Sequence, residues 1–402
     1  MTKLKVVLVG CGRIAGLHTL GYRDNPDAQL WGVFDVNAAK ARAFAAEHGV
    51  PTVYGSYVEV LADDQVDAVE LLTPHHLHSD QAIQAMRAGK HVSVQKPMAL
   101  NLQQCDEMIA ASRETGKTLK VFENFRFYPP YQFAKKLLDA GEIGEPKGIR
   151  LKMNNASLGS RAMPNSGKLE GGDDGGRTGW DVSIKSWMWR LNDTLSGGGP
   201  TVFDDGYHKF SIIMYLLGDV EKVTAWIDET PVIPGIYNDC PAVVMWKHRD
   251  RPLYGVWDIM SSDKMYIHSD YYTCDERVEI TGDRGVIWVT RCTATLMPDV
   301  APVVMYRDGQ VTQFWDMKYD WADSFEASTR DFVEALRDHR EPALSGEQGR
   351  EVLKFALAAV DSGRAHREVM LDEYEDKPVA KRRRLLGAVI GRRGHHRSDG
   401  VA

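Results

Sequence analysis

The chain has 402 residues, 43% of them hydrophobic and 26% charged, and a net charge of −7. That composition is ordinary for a globular protein, and the length exceeds one hydrophobic core, so two folded domains are expected. No apolar run approaches the roughly 20 residues that cross a bilayer, and the acidic balance excludes a nucleic-acid partner for the body of the chain.

The amino terminus, Met1 to Lys5, runs straight into a strand-like segment with no signal-peptide pattern. Five scattered cysteines do not suggest a disulfide framework. A reducing cytoplasm is the expected compartment, and no membrane partner is expected.

The first third alternates β-branched runs with helical patterns. Strands are expected at Leu4–Gly10, Leu30–Val36, Ala68–Thr73, His91–Gln95 and Leu119–Glu123. Helices are expected at Ile14–Arg23, Ala38–Glu47, Ser79–Ala88 and Leu102–Thr115. Gly49, Gly89 and Gly116 each follow a helix, where a left-handed cap is common. The alternation implies a parallel sheet with helices on both faces. Two adjacent prolines end the pattern near Asn124–Pro130.

The first strand runs into Gly10-Cys11-Gly12-Arg13-Ile14-Ala15. Strand, glycine turn and helix in that order form a dinucleotide fingerprint. Gly10 permits the turn, Gly12 lets backbone approach a pyrophosphate, and Ala15 lets the helix pack. The helix N-terminus adds unpaired N–H groups. Asp35 ends the second strand, where a carboxylate can accept hydrogen bonds from the ribose hydroxyls and repel a 2′-phosphate. NAD is therefore favoured, with Lys40 and Arg42 keeping NADP as the lesser option.

Beyond the prolines the pattern changes. A strand is expected at Pro146–Asn154, a long polar loop over 155–179 and a helix over 202–217, capped by Thr201 and ended by Gly218. Val220–Ile227, Ala242–Trp246, Leu253–Ile259, Arg277–Gly282 and Gly285–Val289 read as successive strands, hence an antiparallel sheet. Helices over Asp323–Arg337 and Gly346–Ser362 close the pattern. From Lys377 the tail has eight Lys or Arg residues against one Asp, and reads as a frayed basic terminus. The division expected is 1–127, 128–376 and a tail at 377–402.

Several motifs then fall in register: Gly10–His18, Thr73-Pro74-His75-His76-Leu77-His78, Gln95-Lys96-Pro97, Asn124-Phe125-Arg126-Phe127, Asp204-Asp205-Gly206-Tyr207-His208 and Gly346-Glu347-Gln348-Gly349. In order and spacing the chain resembles the glucose–fructose oxidoreductase/inositol dehydrogenase (Gfo/Idh/MocA) family over roughly residues 4–372. The resemblance implies an α/β protein: a Rossmann domain, then an α/β domain with a large, mostly antiparallel open sheet. It implies NAD(P), sugar or cyclitol substrates, and a homodimer or homotetramer formed through that sheet. Two positions depart from the family pattern: Gln95 stands where Glu is usual, and His75 where Asn is usual.

The expected cofactor contacts are Gly10, Gly12, Arg13, Ile14, Asp35, Thr73, Pro74, His78, Gln95 and Lys96. Lys96 ends the fifth strand, where open parallel sheets bind ligands, and is expected to hold the reacting hydroxyl. Asp204 and His208 are four apart on an expected helix, so both would face one small volume. His208 is the natural base for a hydroxyl proton, because its ordinary pKa lies near neutrality. Arg126 is expected at the domain junction, either beneath the site or touching substrate. Trp187 and Arg190, with Trp180 and Trp189, are expected to wall a sugar ring.

His75, His76 and His78 do not converge on one tetrahedral ion, and the Gly171–Gly176 run lacks the calcium-loop pattern, so no metal is expected. Three functions stay open. The first is a dehydrogenase with exchangeable NAD, acting on a sugar, cyclitol or glycoside hydroxyl, including glycoside C3. The second is a redox-neutral enzyme with tightly bound NAD: a transient-oxidation glycosidase or lyase, which needs an extra base near C2 such as His75 or Tyr207, or a sugar–sugar oxidoreductase that swaps hydride between two sugars. The third is a silent binding protein.

Overall fold

The computed structural model describes residues 3–156, 188–233, 236–262, 264–265, 267 and 269–375. Trp180, Trp187, the Gly171–Gly176 run and the basic tail lie outside these residues, as does most of the expected 155–179 loop.

Six short strands build the first sheet: β1 Leu4–Val9, β2 Ala28–Phe34, β3 Thr52–Val53, β4 Ala68–Leu71, β5 His91–Gln95 and β6 Leu119–Phe122. Every pairing is parallel, in the order β3-β2-β1-β4-β5-β6. The order reverses direction between β1 and β4, which opens a crevice at the strands' carboxyl ends. The connecting helices are α1 Ala15–His18, α2 Ala38–His48, α3 Tyr57–Ala62, α4 His78–Arg87 and α5 Leu102–Thr115. Asn37 caps α2 and Asn101 caps α5 through their side-chain oxygens. Gly49, Gly89 and Gly116 have φ of +67°, +81° and +65°, the left-handed geometry expected of them.

Two elements differ from expectation for local reasons. The helix expected over Ile14–Arg23 stops at His18 and continues as a tighter turn, Thr19–Gly21. The Pro129-Pro130 pair, expected to end the pattern, starts a further helix, α6 Pro129–Asp139. Proline is tolerated in a first helical turn because the N–H it lacks has no intrahelical partner there.

The second sheet has nine strands in the order β16-β15-β14-β13-β7-β12-β11-β8-β17. They are β7 Pro146–Ala156, β8 Val220–Ile227, β11 Ala242–His248, β12 Tyr254–Ser262, β13 Cys274–Gly282, β14 Gly285–Val289, β15 Val303–Arg307, β16 Gln310–Phe314 and β17 Val369–Met370. Among the described strands of this sheet, only β7 and β12 pair in parallel. A small hairpin, β9 Thr230–Ile233 with β10 Ile236–Asn238, stands apart. Alternation decides the faces. Val223, Val244, Trp257, Leu151, Val278 and Ile287 are buried on one side. Trp226, Tyr254, Met260 and Tyr306 lie exposed on the other.

The inner face is covered by α8 Gly206–Leu217 and α10 Gly346–Ala365, while α7 Asp193–Ser196 packs on the turn His75–Leu77 after β4 and α9 Trp321–Arg337 packs on the parallel sheet. Ser345 and Gln348 form a reciprocal capping box at the start of α10. One helix turn in, Gly349 leaves no room for a side chain, since a Cβ there would lie 2.4 Å from Val121. That close approach joins α10 to the parallel sheet.

Candidate functional site

The glycine turn after β1 has the shape a dinucleotide needs. Gly10 has φ of +106°, and a Cβ there would meet the Leu72 carbonyl at 2.8 Å. Gly12 is different: nothing lies within 4 Å of where its Cβ would be, so the backbone is open for a ligand to approach. Asp35 stands beside the turn, accepting from the Cys11 N–H at 2.9 Å and the Asn37 N–H at 2.8 Å. Lys40 approaches the same carboxylate at 3.8 Å. The cap of α2 is Asn37, which leaves Asp35 to the turn. Arg13 lies over the Tyr272 ring, with burial lowering its pKa to about 10 and Arg190 pushing the same way.

Across the crevice, two turns at strand ends are tied together by one imidazole. His78 contacts the Thr73 carbonyl at 2.8 Å and the Pro97 carbonyl at 2.9 Å. Burial outweighs both carbonyls and lowers its pKa to about 4, so the neutral ring donates through one nitrogen.

The carboxyl end of β5 meets the second sheet's helices at Lys96. Its ammonium donates to Asp204 Oδ1 at 2.8 Å and to the Asp204 carbonyl at 2.7 Å. The other oxygen, Oδ2, accepts from Arg190. Burial alone would raise the Asp204 pKa, but Arg190 and Lys96, with His75 behind them, hold it far below the usual carboxylate range. Asp204 is therefore a fixed anion between two cations.

Asp204 does not lie on a regular α-helix with His208. Residues Pro200–Asp205 form a wider π-helical turn, in which the Asp204 N–H reaches back to the Gly199 carbonyl at 3.1 Å. The helix proper, α8, begins at Gly206. Thr201 does not cap it: its hydroxyl donates to Asn238, while the Thr201 and Val202 N–H groups donate to Asp239 at 2.8 and 2.7 Å. An acidic side chain from the loop after β10 thus holds the turn, a partner that local sequence could not reveal.

His208 turns its Nδ1 to a residue that the motifs did not single out. Its Nδ1 contacts both oxygens of Glu123, at 2.8 and 2.9 Å, and its ring stacks on Phe125 with centroids 4.2 Å apart. Nδ1 thus carries the proton, and Nε2 is left with its lone pair. Burial lowers the His208 pKa while Glu123 opposes the shift, and the Lys96 charge lowers it further. Burial raises Glu123, but His208, the Phe125 N–H and Lys96 bring it below its ordinary value. Lys96 thus acts electrostatically on both Asp204 and His208. The signal for Glu123 was a carboxylate just past the carboxyl end of a parallel strand.

The other candidates separate. Arg190 comes to Asp204, from the short turn Met188–Leu191, and Trp189 packs edge-on against His75 at 4.6 Å. Arg126 belongs to the scaffold: it donates to the Ser211 hydroxyl at 2.8 Å and the Ala343 carbonyl at 3.3 Å. Tyr207 is fully buried, donates to the Gly349 carbonyl, and has its phenol pushed well up by burial. His75 Nδ1 donates to the Ser196 carbonyl at 2.9 Å, leaving Nε2 3.6 Å from Asp204 Oδ1. Burial lowers the His75 pKa well below its ordinary value. Neither residue is a strong base. Among the described residues, no group of three or more His, Cys, Asp or Glu side chains could hold a metal, and no helix is long and apolar enough to cross a membrane.

Comparison with known proteins covers both halves of the chain. Residues 4–123 match the oxidoreductase family's NAD-binding Rossmann fold, and 135–371 match its C-terminal alpha/beta domain. Myo-inositol 2-dehydrogenase of Thermotoga maritima is 25% identical over 92% of this chain and 99% of that protein. D-apiose dehydrogenase of Paraburkholderia graminis is 26% identical over 96% of this chain and 95% of that protein. A levoglucosan dehydrogenase solved with NADH and levoglucosan superposes with a TM-score of 0.74, at 21% identity, over 92% of this chain and all of that one. With both of its domains matched in order, the chain belongs to the Gfo/Idh/MocA oxidoreductase family.

Proposed function

We propose that this protein is an NAD-dependent dehydrogenase that oxidises a secondary hydroxyl carbon of a sugar, cyclitol or glycoside. The observation that carries the reading is the 2.8 Å contact of Lys96 with Asp204, one turn before a histidine whose Nδ1 is held by a carboxylate. Relatives matched over nearly their whole length act on a cyclitol and on a sugar by name, as myo-inositol 2-dehydrogenase and D-apiose dehydrogenase do.

The open backbone at Gly12 and the carboxylate of Asp35 fit a dinucleotide. The turn at Gly10, Gly12, Arg13 and Ile14 would face the pyrophosphate, and Asp35 the adenine ribose. Thr73, Pro74, His78, Gln95 and Lys96 would line the nicotinamide half. Asp35 favours NAD over NADP, because a 2′-phosphate would meet its charge. Bound there, NAD supplies a two-electron hydride acceptor.

The protein's own groups handle the proton. Lys96 donates a hydrogen bond to the reacting hydroxyl oxygen and stabilises the negative charge that develops on it. His208 Nε2 takes the hydroxyl proton, and Glu123 stabilises the imidazolium through Nδ1–H. Asp204 keeps Lys96 in place and, with Arg190, offers polar contacts to a neighbouring hydroxyl. The eliminating form of the redox-neutral alternative needs a carbon base, and His75 and Tyr207 are poor ones here; hydride exchange between two sugars needs none and is distinguished by the NADH formed.

The test is a panel of cyclitols, aldoses and aryl glycosides with NAD or NADP, following reduced nicotinamide. Turnover with one substrate class, abolished in Lys96→Met and His208→Gln, supports the reading. Aglycone release without reduced nicotinamide would overturn it. We also infer a homo-oligomer formed on the outer sheet face, where Trp226 and Tyr254 are 59% and 57% exposed.

A further inference from the structure

Glu70 is a fully buried carboxylate in the middle of β4, in register with Ser93 of β5, which is in turn in register with Lys120 of β6. A charge in the interior of a parallel sheet is costly, and an apolar residue there commonly serves stability as well or better. Its presence needs another explanation, and the hydrogen bonds around it supply one.

His18 Nδ1 lies 3.3 Å from Glu70 Oε2, and His18 Nε2 lies 3.1 Å from the Gln95 amide nitrogen. Gln95 Oε1 in turn accepts from the backbone N–H of Lys96 at 2.8 Å. Donor and acceptor roles leave one arrangement. The Lys96 N–H can only donate, so Gln95 presents its oxygen there and its NH2 to His18. His18 Nε2 must then be the acceptor, which puts the ring proton on Nδ1, facing Glu70. His18 and Glu70 are wholly buried, and Gln95 and Lys96 nearly so. His18 is wedged against Phe122, with ring centroids 4.0 Å apart. The other groups that face Glu70 are the Tyr22 phenol and the Lys120 ammonium, the latter held by Asp331 and the Ser328 carbonyl.

We propose that Glu70 is a positioning residue for Lys96. It sets the His18 tautomer, His18 sets the Gln95 amide, and Gln95 fixes the peptide from which the Lys96 side chain leaves β5. The negative charge that Gln95 lacks, at a position where the family usually carries Glu, sits one hydrogen-bonded residue further back. The proposal rests on the role given to Lys96 above.

The experiment compares the full-length wild type with Glu70→Gln, Glu70→Leu, Gln95→Glu and the double variant Glu70→Gln/Gln95→Glu, on the panel's best substrate. Misplacing a catalytic group from a distance commonly costs about ten- to a hundredfold, so kcat should fall at least about tenfold in both Glu70 variants. KM for NAD should change by less than about twofold, because Gly12 and Asp35 are untouched. The double variant should recover most of the lost kcat, because the carboxylate introduced by Gln95→Glu would return the charge to His18 from the other side. Thermal midpoints report folding separately, and Glu70→Gln serves if Glu70→Leu does not fold. Wild-type kcat in a folded Glu70 variant would overturn the proposal, as would a double variant no more active than Glu70→Gln. If no substrate reduces NAD, the reading of Lys96 falls and this proposal falls with it. If NADH forms and the Glu70 variants keep full kcat, only this proposal falls.

Discussion

Glu123 holds the Nδ1 of His208 with both carboxylate oxygens, at 2.8 and 2.9 Å, where the carboxylate is fully buried and the imidazole nearly so. The pair leaves Nε2 as the only basic nitrogen of the ring. Glu123→Gln should therefore lower kcat by about a hundredfold, the scale of a mispositioned general base. The pH profile gives an independent reading. Burial sets the His208 pKa below its ordinary value of 6.5, and Glu123 partly offsets the drop. Activity should fall as pH drops through that lowered value, and in Glu123→Gln this acid limb should move lower still. The check is kcat/KM against pH for both proteins.

Asp204 pairs with Lys96 and Arg190 at once, with all three side chains largely buried. Asp204→Asn leaves two cations facing a neutral amide. Removing one partner of a buried pair costs about 3–5 kcal/mol, so urea unfolding should show a loss of that size. The sign with pH follows from the depressed carboxyl pKa. The stabilisation is full above the unfolded carboxyl's pKa of about 4 and is lost as pH falls below it. Wild type and Asp204→Asn should therefore converge in stability under acid.

Much of this was legible in the sequence, for identifiable reasons. The parallel sheet followed from the strand–helix alternation, and the candidate cofactor end from Gly10, Gly12 and Asp35, which the local strand–turn–helix order marks, although the Leu72 carbonyl that crowds Gly10 comes from far along the chain. Glu123 was not singled out, because its partner lies 85 residues away and no periodicity marks it. Asp239 was missed likewise: it caps a turn 37 and 38 residues upstream. The π-helical turn at Pro200–Asp205 was read as ordinary helix, since Asp204 and His208 have helical spacing and the widening arises from tertiary contacts.

Asp35 is the expected determinant between the two dinucleotides. Asp35→Ser removes the charge that a 2′-phosphate would meet. KM for NAD should rise by about tenfold or more, the effect of losing a charge-assisted hydrogen bond, while activity with NADP should increase. Steady-state kinetics with each dinucleotide decide it, and an unchanged preference would assign the selection to other residues.

The outer face of the nine-stranded sheet should be an interface between copies. Among the described residues, Trp226 and Tyr254 lie on it more than half exposed. Introducing like charges with Trp226→Glu and Tyr254→Glu should convert a dimer or tetramer to monomer in analytical ultracentrifugation. A wild type that sediments as monomer would remove the basis for the interface.

The central claim is net oxidation of a hydroxyl carbon at Lys96, Asp204 and His208. The most direct measurement is the amount of NADH formed per enzyme from excess NAD and the best polyol of the panel, with the oxidised product quantified alongside. The account predicts many equivalents of NADH, matched one to one by ketone. Substrate consumed with no more NADH than one equivalent per enzyme would contradict it and indicate a hydride that is borrowed and returned.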